Sequence, residues 1–288
     1  MTLNTFKRPA TSTDRLKMLS GQSVIYAILI LGALWALFPF AWMVFSSLKG
    51  YTEAYAAETL LPTRWLFSNY IDAWNKVGVF PQYFANTIFI ALCTVAGVLT
   101  TSTLAAYAFA RMEFPGRDTL FIVLLATMMI PFEVTLIPNF ILVRNLQWVD
   151  NYAALIIPWI ASAFSIFLLR QFFKSIPQEL FDAAVIDGCT HLRFLTTIVV
   201  PLSRPALITS GLFTFLATWN SLMWAILVTN KPEMRPIQVG MAAFIGEAGT
   251  QIQLLLAAVT ISVIPVVILY LILQRWFIEG IATVGIRG

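Results

Sequence analysis

Long apolar runs separated by short charged segments constrain this chain more than any other feature. Six stretches, Val24–Phe45, Thr87–Ala110, Leu120–Leu136, Ala153–Leu169, Leu207–Val228 and Leu254–Leu273, hold a single acidic or basic residue among them, Glu133. A run of about 20 apolar residues is what the hydrocarbon core of a bilayer requires of a helix. Only a helix satisfies its own backbone groups there, so the runs predict an all-α integral membrane protein of about six spans. Composition agrees: 59% of residues are hydrophobic and 11% charged, against about a quarter charged in soluble domains. Pro39, Pro131, Pro138, Pro158 and Pro265 fall inside or at the ends of these runs. Neighbouring helices can re-satisfy the carbonyls such prolines free, so kinked spans are expected.

Orientation follows from the basic residues. With the N-terminus inside, Lys7, Arg8, Arg15, Lys17, Arg111, Arg117, Arg170, Lys174, Arg193, Arg204, Arg275 and Arg287 fall on the cytoplasmic side. Lys49, Arg64, Lys76, Arg144, Lys231 and Arg235 fall outside, so both termini are assigned to the cytoplasm. The first run is too long for a signal-peptide core and lacks a small-residue cleavage site, so it reads as a retained span. The expected organisation is a cytoplasmic segment 1–22, a membrane domain 23–277 and a cytoplasmic tail 278–288. The net charge of +4 is then an orientation signal and not an affinity for nucleic acid. Cys93 lies in a span and Cys189 in a loop, which argues against a disulfide between them.

The connections differ in character. The stretch from Lys49 to Tyr83 is aromatic and is expected to lie on the membrane surface. The stretch from Thr229 to Gln251 carries Gly240, Gly246 and Gly249, which favour adaptable backbone. Residues 171–204 are too long for a turn. Ser175-Ile176-Pro177-Gln178 has the form of a capping box, and Leu180, Phe181, Ala184 and Val185 recur at helical spacing. Asp187-Gly188 ends that helix, Thr190 can cap a second one, and Pro201 ends it. Two short helices with a sharp turn, bearing carboxylates and an apolar face, form a docking element.

The run Gln178-Glu179-Leu180-Phe181-Asp182-Ala183-Ala184-Val185-Ile186-Asp187-Gly188-Cys189, followed by Pro201-Leu202-Ser203-Arg204-Pro205, resembles the EAA loop of binding-protein-dependent ABC permeases. Asp182 stands where the family usually has Glu, and Cys189 where it usually has Ala. Ala106-Tyr107-Ala108-Phe109-Ala110-Arg111 with Phe114-Pro115-Gly116-Arg117, the pair Trp219-Asn220, and the ending Gln274-Arg275-Trp276-Phe277 to Gly285-Ile286-Arg287-Gly288 are similar to segments of carbohydrate permeases. The ending is of the kind found in the second permease of the maltose importer, with Val284 where a glycine is usual.

The resemblance implies a type I ABC importer permease that forms half of a solute pathway. The other half would come from a second homologous permease, the solute from an extracytoplasmic binding protein, and the energy from two copies of a cytoplasmic ATP-binding subunit. The membrane would be the bacterial inner membrane, with lipid the remaining partner. No glycine here is followed by lysine, so the phosphate-cradling G-x-x-x-x-G-K-[ST] loop is excluded. ATP and Mg would therefore sit on the partner ATPases, with no cofactor in this chain. The resemblance assigns ATPase coupling to Glu179, Leu180, Phe181, Asp182, Ala183, Ala184, Asp187, Gly188 and Arg193, and a tail contact to Gly285, Arg287 and Gly288. In this role Leu180, Phe181 and Ala184 fill the apolar floor of an ATPase cleft.

For the solute pathway the polar and aromatic span residues Glu133, Asn220, Trp219, Trp224 and Asn86 are the candidates. A carboxylate within a span usually faces the bundle interior or water. Glu133 can equally be an interfacial anchor or a packing hydrogen bond, and the tryptophans belt residues. His191, in the cytoplasmic loop, reads as a surface residue touching the ATPase. A single histidine and no metal-ligand spacing leave neither a metal centre nor a catalytic group. An intramembrane enzyme would need a converging nucleophile and base. A secondary transporter would show coupling-ion ligands and repeated halves. The favoured solute is a carbohydrate or polyol, with glycerol 3-phosphate the alternative.

Overall fold

The computed structural model describes residues 12–56, 58–76, 80–246 and 249–285. Helix α1 (Ser12–Ser47) is followed by the short α2 (Tyr51–Ala56) and α3 (Ser68–Lys76), then by the long α4 (Phe80–Arg111). Next come α5 (Arg117–Thr127), α6 (Phe132–Asn145) and α7 (Tyr152–Ile156), which runs through one 3-10 turn toward α8 (Ala163–Ser175). After α9 (Gln178–Ile186) and α10 (His191–Phe194), a π turn at Leu195–Val199 leads through α11 (Val200–Leu202) into α12 (Arg204–Trp219). The chain closes with α13 (Met223–Val228), α14 (Ile237–Met241), the hairpin β1 (Ile245–Gly246) with β2 (Gly249–Thr250), and α15 (Ile252–Gly285). In the hairpin Ile245 pairs with Thr250.

Four helical stretches are long and apolar enough to cross a bilayer, and six if each of two bent pairs is one span. The two bent pairs are sharp instances of the kinks that the prolines predict. The third run is not one helix: α5 and α6 meet at 97°. Pro131 sits at the break in an extended conformation (φ −60°, ψ 141°), because its ring carries no N–H and disfavours helix in the residue before it. The fifth run is also interrupted. α12 ends at Trp219 and α13 begins only at Met223, with Asn220 Nδ2 capping the carbonyl of Leu216 at 2.8 Å. At its other end α12 turns 81° from the His191–Leu202 segment, between Pro201 and Pro205. The first, second and sixth runs are longer helices than expected, beginning at Ser12, Phe80 and Ile252. Since α15 extends to Gly285, the expected boundary at residue 277 falls within a helix.

Helix α4 is the centre of the molecule, packed on α8 and α12, while α1 lies against α15 and leaves its apolar sides open. At one end of the bundle Tyr107, Leu169, Phe173, Phe194 and Val199 form a core. At the opposite end Phe80, Tyr83, Ile237, Phe244 and Ala257 form another.

The described residues of the two long connections are tied to the bundle by specific bonds and contacts. Asn69 Nδ2 donates to the carbonyls of Ser47 (2.8 Å) and Lys49 (2.9 Å), tying α3 to the end of α1. Glu53 brackets Thr63, accepting from its backbone N–H at 2.7 Å and its hydroxyl at 3.1 Å. The Thr63 N–H bond, helped by the Thr63 and Thr59 hydroxyls and the charge of Lys49, outweighs burial and holds the Glu53 carboxyl below its ordinary value. A carboxyl depressed in the folded state stabilises above its unfolded pKa of about 4.3 and loses that contribution as pH falls through the folded value. The fluorescence of Trp65, one turn from the bracket, should therefore report a loosening below about pH 4. Glu53→Gln should remove that step; an unchanged titration would show that the bracket does not hold the loop.

The connection through α14 is pressed against α4. A Cβ on Gly240 would overlap the edge of the Tyr83 ring, and one on Gly97 would lie 2.7 Å from Ile160 Cγ2. Overpacking of this kind costs about 1–3 kcal/mol. Gly240→Ala and Gly97→Ala should each lower the melting temperature of the detergent-solubilised protein, whereas Gly32→Ala, whose Cβ meets nothing within 4 Å, should not.

Candidate functional site: a cavity and a helical elbow joined by one helix

An open cavity of about 590 Å³ lies among α4, α8, α12 and α13. Its wall is mainly apolar, through Ile90, Val98, Phe132, Trp159, Phe164, Phe213 and Trp224. Hydroxyls interrupt it: Thr87 and Thr94 from α4, Ser162 and Ser165 at the start of α8, Thr214 and Thr218 from α12, and Ser221. Among the described residues, no acidic, basic or histidine side chain lines it. Thr87 and Thr94 are seven residues apart, two helical turns, and Thr214 and Thr218 are one turn apart, so each pair occupies one helix face, while Ser221 lies in the break between α12 and α13. Two of the cavity threonines bond the carbonyl one turn back, Thr87 to Tyr83 (2.8 Å) and Thr214 to Ser210 (2.9 Å). Thr94 does not: its Oγ1 is buried with no hydrogen-bond partner among the described residues.

Of the pathway candidates read from sequence, only Trp224 lines this cavity. It is buried, edge-on to Trp159 (5.7 Å), and its Nε1 donates to Ala154 O at 2.9 Å. Trp219 is 2% exposed, between Phe215 and Phe84, and is a core residue. Asn86 is also buried. Its Nδ2 donates to the carbonyls of Glu233 (2.7 Å) and Arg235 (3.1 Å), and its Oδ1 accepts from Tyr152 (2.7 Å) and Gln82 (3.0 Å). Its amide is a strut between α4 and the α13–α14 connection, leaving nothing for a solute. Asn220 is exposed beside the cavity-lining Ser221 but caps its own helix. Glu133 lies exposed in the first turn of α6, next to the cavity-lining Phe132 and outside the wall itself. The missed residues are the hydroxyls, and their spacing in otherwise apolar runs was the available signal.

At the other end of α4 lies the elbow of α8, α9 and α10. Ile176 is extended at the end of α8 and Pro177 opens α9. The expected capping box does not form: Ser175 Oγ donates back to Phe172 O at 2.7 Å, and Gln178 turns to Arg111 and Asp182. The C-terminal stop does form. Gly188 adopts φ +71°, Cys189 N bonds Ala184 O at 2.8 Å, and Gly188 N bonds Val185 O at 3.0 Å, the paired pattern of a left-handed helix cap. Thr190 then caps α10, accepting from Arg193 N at 3.4 Å. Cys93 and Cys189 are both free.

This geometry redistributes the expected docking residues. Ala184 is buried and Phe181 half-buried, with Phe181 against Phe194 and His191, so both pack within the elbow of this chain. Glu179, Asp182, Ala183, Asp187 and Arg193 are exposed, as is Leu180. Ile186, 86% exposed, shares the outward face with Glu179, Asp182 and Ala183 at helical spacing and was missed; Val185 is exposed beside it. His191 does not merely touch solvent: its Nδ1 and the Tyr107 hydroxyl are 2.9 Å apart. Gly285 is the last residue of α15; Arg287 and Gly288 lie outside the described residues.

A polar-studded cavity in a bundle of bent membrane helices, with a capped amphipathic helix presented at one end, defines a transporter subunit. Residues 99–283 match the family described as "binding-protein-dependent transport system inner membrane component", and the chain belongs to that family. It is 34% identical to the probable ABC transporter permease protein YurM of Bacillus subtilis, over 95% of this chain and 91% of that one. It is 32% identical to the arabinooligosaccharides transport system permease protein AraQ of Halalkalibacterium halodurans, over 88% and 92%. With the sn-glycerol-3-phosphate transport system permease protein UgpE of Yersinia pestis it shares 36% identity, over 89% and 94%. Among solved structures it is similar to a chain of a bacterial ABC transporter involved in the import of the acidic polysaccharide alginate. That match has a TM-score of 0.79 and 27% identity, covering 94% of this chain and 100% of that one. The protein is thus an ABC importer permease in a membrane, and its work is conduction, not catalysis.

Proposed function

We propose that this subunit forms half of the pathway for a neutral carbohydrate or polyol. The carrying observation is the cavity wall, which among the described residues offers hydroxyls and aromatic faces but no ionisable side chain. A phosphorylated solute such as glycerol 3-phosphate would be desolvated there without a cationic partner, which is costly for a charge. A sugar instead exchanges water for Ser and Thr hydroxyls and stacks its apolar face on Trp159 or Trp224.

In this reading a second permease closes the open side of the cavity, and a binding protein delivers solute from outside. Two ATPase subunits on the cytoplasmic side, carrying ATP and Mg, each engage one permease. Here the engaged element is the outward face of α9: Glu179, Asp182 and Asp187 meet basic groups, while Leu180, Val185 and Ile186 enter the apolar cleft. Both termini then lie in the cytoplasm, as the basic residues predict. Closure of the ATPase dimer turns the cavity outward, and hydrolysis returns it inward.

The complete complex in proteoliposomes tests this, with neutral oligosaccharides and glycerol 3-phosphate each offered together with the binding protein. A neutral sugar should stimulate ATP hydrolysis and accumulate, and Asp182→Lys with Asp187→Lys should uncouple or disassemble the complex. Stimulation by glycerol 3-phosphate alone would overturn the solute class. Normal coupling in the charge-reversed complex would overturn the docking assignment.

A further inference from the structure

We propose that Arg111 is the positioning residue that fastens the coupling helix to the cavity-lining helix, so that α9, the end of α8 and α4 move as one body. The inference rests on α9 being the ATPase-docking element.

Arg111 is the last residue of α4. Its Nη1 donates to Gln178 Oε1 at 2.6 Å, and its Nη2 to Phe173 O at 2.8 Å and also to Ile176 O. Those carbonyls belong to the last turn of α8 and to the extended residue that follows it, where a helix leaves its acceptors unpaired. Gln178 is the first residue of α9 and passes the contact on, its Nε2 donating to Asp182 Oδ1 at 3.1 Å. One guanidinium thus holds the end of one helix and the start of the next from a third. The planar fork makes this possible, and a lysine has no equivalent.

One turn back on the same face of α4, Tyr107 meets His191 at 2.9 Å, and the His191 ring stacks on Phe181 at 5.6 Å. Helix α4 therefore grips the elbow twice, at the start of α9 and across α10. Toward its other end the same helix carries Thr87, Thr94 and Val98 in the cavity wall. Thr94 and Arg111 are about 26 Å apart along an unbroken helix at 1.5 Å per residue. A displacement of α9 has a rigid route to the wall, and Arg111 is its first joint. A simple cap on α8 would not need the bond to Gln178, which belongs to the next helix.

The test uses the whole complex of both permeases, ATPase and binding protein in nanodiscs, with Cys93→Ala and Cys189→Ala removing the native thiols. Thr218→Cys in the cavity is labelled with a membrane-impermeant maleimide, with and without ATP and vanadate. In this parent the two labelling rates should differ, because nucleotide changes which conformation is populated. Arg111→Ala and Arg111→Lys should both bring the ratio close to one while ATP hydrolysis and co-purification persist. Gln178→Leu, at an exposed position, should give an intermediate ratio and decides the matter if the Arg111 variants fail to assemble. A purely structural role would lower yield and thermal stability yet leave the ratio of surviving complexes intact, and a parental ratio would overturn the proposal. If the parent itself shows no nucleotide dependence, the docking reading falls and takes the joint with it.

Discussion

Replacing Ile186 by aspartate should strip the ATPase from the complex, with co-purification and solute-driven hydrolysis both falling at least about tenfold. Ile186 is 86% exposed on a nine-residue helix whose inner face is already filled by Phe181 and Ala184. The chain gains nothing from that side chain in its own fold, so an apolar group held there by a glycine cap is available to a partner cleft. Interface energy concentrates in a few desolvated anchors of this kind, and a carboxylate in their place would enter the cleft uncompensated. Because Ile186 contributes no core packing, the isolated permease should keep its melting temperature. A parallel loss of permease stability would show that the residue belongs to the fold, and normal co-purification would show that the docking surface lies elsewhere. Ala184→Asp should do the reverse, damaging the permease itself by burying a charge against Phe173 and Phe194.

The class of fold was legible because a bilayer reduces the problem to length and polarity: runs of about 20 apolar residues with basic residues between them are legible one residue at a time. Where helices end was less so. The break after Trp219 depends on Asn220 capping Leu216, a choice between two hydrogen bonds that apolar periodicity does not register. The break at Pro131 could have been read from the proline, but its angle of 97° is set by what the two halves pack against. The elbow was legible at Gly188 and Thr190, where one residue's conformation decides the turn, and misread at Ser175, where Arg111 from another helix competes for Gln178. For the cavity, rarity misled the reading. Glu133, Asn86 and Trp219 stand out in apolar runs, yet Asn86 and Trp219 serve internal packing, while common serines and threonines supply the polar points of a mainly apolar wall. A hydroxyl in a membrane helix often satisfies itself on the preceding turn, so its identity says little until its neighbours are placed.

Thr94→Val should make the protein more stable and transport slower. The substitution keeps the side chain's shape and removes only the hydroxyl, and Thr94 Oγ1 is the one fully buried hydroxyl among the described residues that belongs to a cavity-lining residue and lacks a partner. A buried donor left unsatisfied is a cost in the resting fold, so its removal should raise stability by about 1 kcal/mol. If the same hydroxyl meets a solute during transit, its loss should slow transport of a neutral sugar roughly fivefold, the value of one net hydrogen bond. Thr87→Val supplies the contrast. Thr87 Oγ1 already donates to Tyr83 O and accepts from Ile237 N, each at 2.8 Å, so its loss should destabilise the join between α4 and α14. The measurements are thermal unfolding of the purified permease pair and initial transport rates in proteoliposomes with ATP inside. Opposite signs for stability and transport at Thr94, and the same sign at Thr87, would place solute contact on α4. A Thr94→Val protein no slower than its parent would move that contact to the hydroxyls of α12 and leave Thr94 as an unfilled polar group with no part in conduction.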